Sequence, residues 1–192
     1  MLNLILGGAP GSGKGTISDI IVQNYGLTHI STGDVLRAEI ASGSELGKEI
    51  DALISKGNLV PDDKMIAIIN KFLDSLGIDC KGVIFDGFPR TVAQAEALTE
   101  LLERRRMHIT MLDLFATEET IIARLLNRGK TSGRADDNLE TIQKRLAIYH
   151  EQTQPVAGYY LKRHQYFFIN ANINPDVTFA QVQTILELID KH

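Results

Sequence analysis

Two patterns of apolar residues alternate along the chain, and each predicts a different element. Short unbroken runs occur at Leu2–Leu6, Thr28–Ile30, Gly82–Asp86, His108–Phe115 and Tyr166–Ile169. Their length and branched side chains predict strands, the most apolar of them buried on both faces as in a parallel sheet. Between these runs, apolar positions recur at helical spacing. Ile17, Ile20 and Ile21 line one face of a helix that continues to Asn24 and stops at Gly26. Pro61 takes the first position of a helix reaching about Leu76, and Thr91 caps one that runs to Arg104-Arg105-Arg106. Glu118–Asn127 forms a helix, another begins near Asn138, and Pro155 divides or bends the helical region ending near Arg163. Val177–Ile189 is a closing amphipathic helix.

One region breaks the alternation. Residues 31–60 carry no strand pattern: Ser31-Thr32-Gly33-Asp34 reads as a capped helix start, and a second polar helix, Glu45–Lys56, follows the break at Ser42-Gly43-Ser44. A polar, glycine-punctuated stretch at about 127–138 likewise lacks a core of its own. The expectation is a three-layer α/β fold, a parallel sheet of about five strands flanked by helices. Residues 1–30, 61–126 and 139–192 form its core, with a small helical lobe at 31–60 and a short lid at 127–138.

Composition narrows the function classes. The chain has 192 residues, 44% of them hydrophobic, enough for one substantial core. A net charge of −4 argues against a protein that coats nucleic acid, so anionic ligands must be held by local clusters of arginine. The single cysteine, Cys80, excludes an internal disulfide and a multi-cysteine zinc site. No apolar run reaches the length of a membrane span, and the N-terminus has no charged-then-apolar signal pattern. A soluble cytoplasmic chain without membrane or nucleic-acid partners is expected. His29 and His108 have no partner at ligand or triad spacing and read as structural, and Arg104-Arg105-Arg106 reads as a solvated helix end.

The candidate chemistry begins directly after the first strand. Gly8-x-x-x-x-Gly13-Lys14-Gly15-Thr16 fits a phosphate-binding loop between a strand and a helix, with the hydroxyl one residue later than usual. Glycines at 8, 11, 13 and 15 let successive N–H groups point into one concavity. The helix N-terminus and Lys14 add positive charge to it. The run Gly82–Asp86 ends in an acid at the sheet edge where ligands bind, which suits Asp86 to hold Mg²⁺ directly or through water. Arginines 37, 90, 124, 128, 134 and 145 all fall at loop edges or terminal helical turns that begin or end at that same edge. Phosphoryl transfer requires such a set, because its transition state spreads negative charge that must be positioned and neutralised. With no His or Cys nucleophile beside a base, direct in-line transfer is favoured over a covalent enzyme intermediate.

These residues resemble the adenylate kinases of the short-lid kind. The matching motifs are Gly-Ala-Pro-Gly-Ser-Gly-Lys-Gly-Thr at 8–16, Ser-Thr-Gly-Asp-Val-Leu-Arg at 31–37, Phe-Asp-Gly-Phe-Pro-Arg-Thr at 85–91 with Gln94, and Arg-Gly-Lys-Thr-Ser-Gly-Arg-Ala-Asp-Asp at 128–137. The resemblance implies reversible, Mg²⁺-dependent transfer of the terminal phosphate of ATP to AMP, giving two ADP, by a monomer. It implies that ATP lies on Gly11, Ser12, Gly13, Lys14, Gly15 and Thr16, with Arg124 and Arg128 at its base and phosphates. AMP would be held by Thr32, Arg37, Leu59, Val60, Gly87, Phe88, Arg90 and Gln94. Arg134 and Arg145 would bridge the two phosphate chains, Asp86 would orient the water shell of Mg²⁺, and Asp136 and Asp137 would belong to the lid. Lys14, Arg90, Arg128, Arg134 and Arg145 would form the catalytic set.

The sequence departs from the family pattern twice. Gly7 stands where the family often carries something bulkier, which bears on loop rigidity. The lid lacks a long, sometimes four-cysteine insert, so no structural zinc is expected. A pyrimidine (UMP/CMP) kinase of the same fold is the nearest alternative, but such relatives typically show Ala in place of Thr32 and Asn in place of Thr91. A GTPase switch would need Asn-Lys-x-Asp, and the nearest match, Asn70-Lys71-Phe72-Leu73-Asp74, has one residue too many.

Overall fold

The computed structural model describes residues 1–56, 58–132 and 137–189. Its five strands are β1 (Leu4–Gly7), β2 (Thr28–Ser31), β3 (Val83–Asp86), β4 (Thr110–Phe115) and β5 (Tyr166–Asn170). They form one sheet in the order β2-β3-β1-β4-β5, every neighbouring pair parallel. The α/β class with a five-stranded parallel sheet is therefore as expected. Because β1 lies in the centre and the chain crosses first to one side and then to the other, the strand order reverses at β1. The carboxyl end of β1 is thus the crevice where such sheets bind ligands.

Period-two alternation along each strand builds a layer on either face. Ile5, Val83, Phe85 and Met111 point into one apolar layer with Met65, Ile69, Leu98, Leu102, Val156 and Tyr160. Leu4, Leu6, Ile84, Leu112, Leu114 and Ile169 point into the other, with Ile17, Ile21, Val182 and Leu186. The helices supplying the first layer are α4 (Asp62–Asp74), α5 (Val92–Arg104) and α8 (Gln154–Lys162). Those of the second are α1 (Lys14–Tyr25) and α9 (Pro175–Ile189). A third, smaller cluster joins Ala9 and Ala116 to Ile121, Leu125, Ile142 and Leu146. It seats α6 (Glu118–Ser132) and α7 (Leu139–Ile148) beneath the loop after β1. Each fully buried Leu, Ile or Phe contributes about 1.5–3 kcal/mol, so this packing holds the sheet edge rigid.

Between β2 and α4 the described residues make two helices and no strand, α2 (Thr32–Ala41) and α3 (Glu45–Ile54). Ser31 and Ser44 cap them, their hydroxyls accepting from the backbone N–H groups of Asp34 and Gly47 at 3.3 and 2.8 Å.

Several boundaries differ from the sequence reading, for identifiable reasons. Pro61 precedes α4 instead of opening it: its ψ of 142° is extended, and Asp62 begins the helix. α6 continues past Asn127 through Ser132. Within the polar Arg128-Gly-Lys-Thr-Ser stretch the hydroxyls are satisfied by the helix itself, Thr131 Oγ1 donating to the carbonyls of Asn127 and Arg128 and Ser132 Oγ to that of Arg128, while Arg128 ties the turn to Asp137. Downstream, five residues of π-helix, Tyr149–Thr153, separate α7 from α8, whose first turn holds Pro155. Its missing N–H accounts for the division. The arginine run is not simply solvated either. Arg105 Nη2 donates to Asn70 Oδ1 at 3.0 Å and pairs with the Asp74 carboxylate, tying α5 to α4.

Candidate active site

The loop between β1 and α1 curls because its glycines permit it. Gly8 has φ 122°, and a Cβ there would strike Ser12 Oγ and the Leu114 carbonyl. In the loop Lys14 Nζ donates to the carbonyls of Gly8 and Ala9, each at 2.8 Å. Burial lowers its pKa to about 8 against the pull of the Asp86 carboxylate; Arg90 and Arg145 push the same way as burial. Three cations gathered around one poorly solvated spot form a site prepared for anionic charge.

A cleft of about 640 Å³ opens over this loop. The resemblance-implied residues Gly11, Gly13, Lys14, Gly15, Thr16, Thr32, Arg37, Leu59, Val60, Asp86, Gly87, Phe88, Arg90, Gln94, Arg124, Arg128 and Arg145 all line it. Ser12 lies instead on a second cavity of about 240 Å³, behind the loop, with Gly13, Thr16, Arg124, Ala171, Asn174 and Pro175. Arg124 stands between the two, its guanidinium donating to the carbonyls of Ser12 (3.3 Å) and Ala171 (2.9 Å). Asp137 lines neither cavity. Arg134 and Asp136 lie outside the described residues.

The arginines are held ready by local partners. Arg90 Nε donates to the Gly87 carbonyl at 2.7 Å, and burial, followed by the nearby Arg145, holds its pKa below the usual arginine range. Arg37 pairs with Asp34 one turn away on α2. Arg128 grips Asp137 with two parallel bonds of 2.6 and 2.8 Å, and Arg145 reaches the same carboxylate at 3.2 Å. That carboxylate is fully buried, so it joins α6 to α7 through charge-assisted bonds.

On the opposite wall, Thr32 Oγ1 lies 3.0 Å from the Gly87 carbonyl and 3.3 Å from that of Asp86, fastening the start of α2 to the end of β3. Gln94 is almost wholly buried, at 2% exposure. Its Nε2 donates to Asp62 Oδ1 at 2.6 Å, and its Oε1 accepts from the Arg90 N–H at 2.7 Å. Thr91, which caps α5 by accepting from Gln94 N, donates its own proton to Asp62 Oδ2. At the end of β3, Asp86 is half-buried, with His29 Nε2 3.7 Å from its carboxylate. His29 therefore has a neighbour on the adjacent strand that spacing along the chain did not reveal.

The sequence reading passes over several residues here. Asp113 faces Gly7 across β4 and β1, lines the cleft, and accepts from Tyr166 Oη at 3.1 Å. Burial raises its pKa while Tyr166 and Lys14 lower it, and burial with Asp113 nearby pushes Tyr149, on the same cleft, up to about 12. An acid inside the apolar Met-Leu-Asp-Leu-Phe run was the available signal. Asp62 had none, because an acid in a helix's first turn is ordinary. The wall of the second cavity, Ala171 to Pro175, comes from a turn with no motif.

Mg²⁺ suits this donor set. It takes oxygen ligands, retains water, and is usually held by one or two carboxylates plus substrate phosphates. Asp86 and the Thr16 hydroxyl offer oxygen on the cleft wall. Among the described residues no group of three or more His, Cys, Asp or Glu is placed to hold a metal by itself.

Comparison with known proteins agrees with this geometry. The family model described as adenylate kinase matches residues 6–165. The adenylate kinase of Bacteroides thetaiotaomicron is 54% identical over 192 residues, covering all of both chains. That of Phocaeicola vulgatus is 52% identical over 188 residues, covering 97% of this chain and 99% of its own. That of Bacteroides fragilis is 56% identical over 171 residues, covering 88% and 90%. With the loop, the arginines and the parallel sheet arranged as described and the match running through nearly the whole length, the chain belongs to the adenylate kinase family.

Proposed function

We propose that the cleft takes ATP and AMP together and transfers the terminal phosphoryl group of ATP directly to AMP, giving two ADP reversibly. The observation that carries this reading is the gathering of six cations on one cavity. Lys14, Arg37, Arg90, Arg124, Arg128 and Arg145 all line it, Arg90 and Arg145 acting on Lys14 and Arg37 on Arg90. A single-nucleotide switch has no use for so many.

The phosphates of ATP rest on residues 11–16, where Lys14 exchanges its bonds to Gly8 and Ala9 for phosphate oxygens. The cavity walled by Arg124, Ala171 and Pro175 takes the ATP base. Thr32, Leu59, Val60, Gly87, Phe88 and Gln94 receive AMP, with Arg37 and Arg90 on its phosphate. An AMP phosphate oxygen attacks the γ-phosphorus, that bond forms as the bridging bond to the β-phosphate breaks, and ADP leaves carrying the electron pair. Phosphate monoesters have a second pKa near 6, so the acceptor is mostly dianionic at pH 7 and needs no protein base. Arg145 and Arg90, with Arg134 outside the described residues, neutralise the charge spread over the transferring group. Mg²⁺, held by the nucleotide with Asp86 orienting its water shell, would neutralise phosphate charge and align the chain.

Residues 31–60 act as the acceptor lobe and 127–138 as a short lid, Gly57 and residues 133–136 lying outside the described residues. The reading carries with it a monomer in the cytoplasm. The free thiol of Cys80 fits a reducing compartment. Among the described residues no helix is long and apolar enough to cross a membrane.

A coupled assay of ADP formation from ATP with AMP, UMP, CMP or GMP tests the reading. AMP is expected to exceed the others by at least about tenfold in kcat/KM, the effect of losing one matched buried hydrogen bond. UMP or CMP turned over as well as AMP would move the assignment to the pyrimidine kinases, which the full-length relatives do not favour.

A further inference from the structure

Asp62 does not line the cleft, yet it holds a residue that does. We infer that Asp62 is a positioning residue that fixes which way Gln94 presents its amide, and that it thereby selects a 6-aminopurine as the acceptor base. The inference rests on the proposal that Gln94 reads that base.

An amide of glutamine can be turned over without changing its shape, so its neighbours must decide which end is which. Here both neighbours have only one role available. The Arg90 N–H can only donate, and it meets Gln94 Oε1 at 2.7 Å. The Asp62 carboxylate can only accept while ionised, and it meets Nε2 at 2.6 Å. Turning the amide over would set N–H against N–H and carbonyl against carboxylate in a site that is 2% exposed. Buried, mismatched pairs of that kind are strongly disfavoured.

The carboxylate is itself fastened. Its second oxygen accepts from Thr91 Oγ1 at 3.2 Å, and that hydroxyl caps α5 by accepting from Gln94 N at 3.1 Å. Asp62 also opens α4, separated only by Pro61 from Leu59 and Val60 on the cleft wall. One side chain therefore ties the acceptor wall, the cap of α5 and the Gln94 amide into a single unit.

With these two bonds made, Gln94 keeps one N–H and one lone pair for a ligand. They complement an edge that offers a ring-nitrogen acceptor beside an exocyclic amine, as a 6-aminopurine does. A 6-oxopurine presents the reverse, a ring N–H beside a carbonyl, and would require the amide to turn over. Cytosine shares the aminopurine order on a shorter ring, so the length of the pocket must exclude it.

The test compares wild type, Asp62→Ala, Asp62→Asn and Gln94→Leu with AMP, GMP and IMP as acceptors. Asp62→Ala is expected to lower kcat/KM for AMP about tenfold, mainly through KM, with little loss for GMP and IMP, so that selectivity falls by a similar factor. The KM for ATP should stay within about twofold, because the donor base binds elsewhere. Asp62→Asn should recover most of the selectivity, since its Oδ1 still accepts from Nε2. Equal losses for all three acceptors in Asp62→Ala would make Asp62 merely structural and overturn the inference. Loss of AMP selectivity in Gln94→Leu with its retention in Asp62→Ala would overturn it as well. If Gln94→Leu itself leaves selectivity unchanged, the acceptor-base reading fails and the inference falls with it. Should Asp62→Ala not fold, the side-chain amide protons of Gln94 in the nucleotide-free wild type decide. Protection from solvent exchange supports the fixed orientation, and exchange at the rate of a free glutamine contradicts it.

Discussion

Lys14 shows how a single residue links burial to binding. Its ammonium has exchanged water for two backbone carbonyls, and burial brings its pKa down to about 8. Phosphate oxygens arriving at Nζ stabilise the charged form and raise that value. The free protein loses the proton first as pH rises, so nucleotide binding must take up a proton above about pH 8. ATP affinity should therefore be flat below about pH 7 and fall by up to tenfold per pH unit above about 8. Calorimetry in buffers of different ionisation enthalpy checks the proton uptake, and Lys14→Arg should move the fall beyond about pH 10. Lys14→Ala should keep the fold and cut kcat by about 10²–10³, the usual loss of one charge-stabilising donor. Most of the activity surviving in a folded Lys14→Ala protein would remove the loop from the chemistry.

Among the elements, the contact of β1 with β4 explains a residue that looked like a weakness in the loop. Gly7 is the last residue of β1, opposite Asp113 in register. A Cβ at Gly7 would come within 2.8 Å of Asp113 Oδ1 and crowd the Met111 methyl. Absence of a side chain at Gly7 thus makes room for the Met111 methyl and the Asp113 carboxylate. Gly7→Ala should cost about 1–3 kcal/mol by overpacking. In an Asp113→Ala background the same change should cost less, the Met111 methyl remaining in the way, and thermal or denaturant unfolding of the four proteins measures the coupling. Fully additive effects would show that the two positions do not share this space.

The α6–α7 connection makes a second test. Asp137 is buried between Arg128 and Arg145, so Asp137→Ala removes the acceptor both share. Breaking such a buried pair typically costs about 3–5 kcal/mol. The end of α6 should loosen, and ATP hydrolysis without AMP should rise relative to transfer as water gains access to the phosphates. Unchanged hydrolysis would detach Asp137 from water exclusion.

Much of this was legible in the chain. Strands were found because buried parallel strands are continuous apolar runs, and most helix starts because Ser31, Ser44, Thr91 and Asn138 are good caps. The extension of α6 was not legible, because Arg128, Thr131 and Ser132 look like loop residues until their tertiary and back-bonding partners are known. In the same way, the loop glycines, Lys14 and the arginines announce themselves by type and spacing. Asp62, Asp113 and His29 gain meaning only from neighbours far along the chain, Gln94, Lys14 and Asp86 among them.

For the whole molecule, the reversal of strand order at β1 gathers residues from most of the chain's length onto one edge of the sheet. The six cations then face one cleft, and the proposed chemistry requires two nucleotides there at once. The most direct test supplies the purified protein with Mg²⁺ and ADP alone and follows the products by phosphorus NMR. ATP and AMP should appear in equal amounts until equilibrium, with no inorganic phosphate beyond the uncatalysed background. AMP accompanied by free phosphate, or no ATP at all, would contradict direct transfer between two nucleotides held in this cleft.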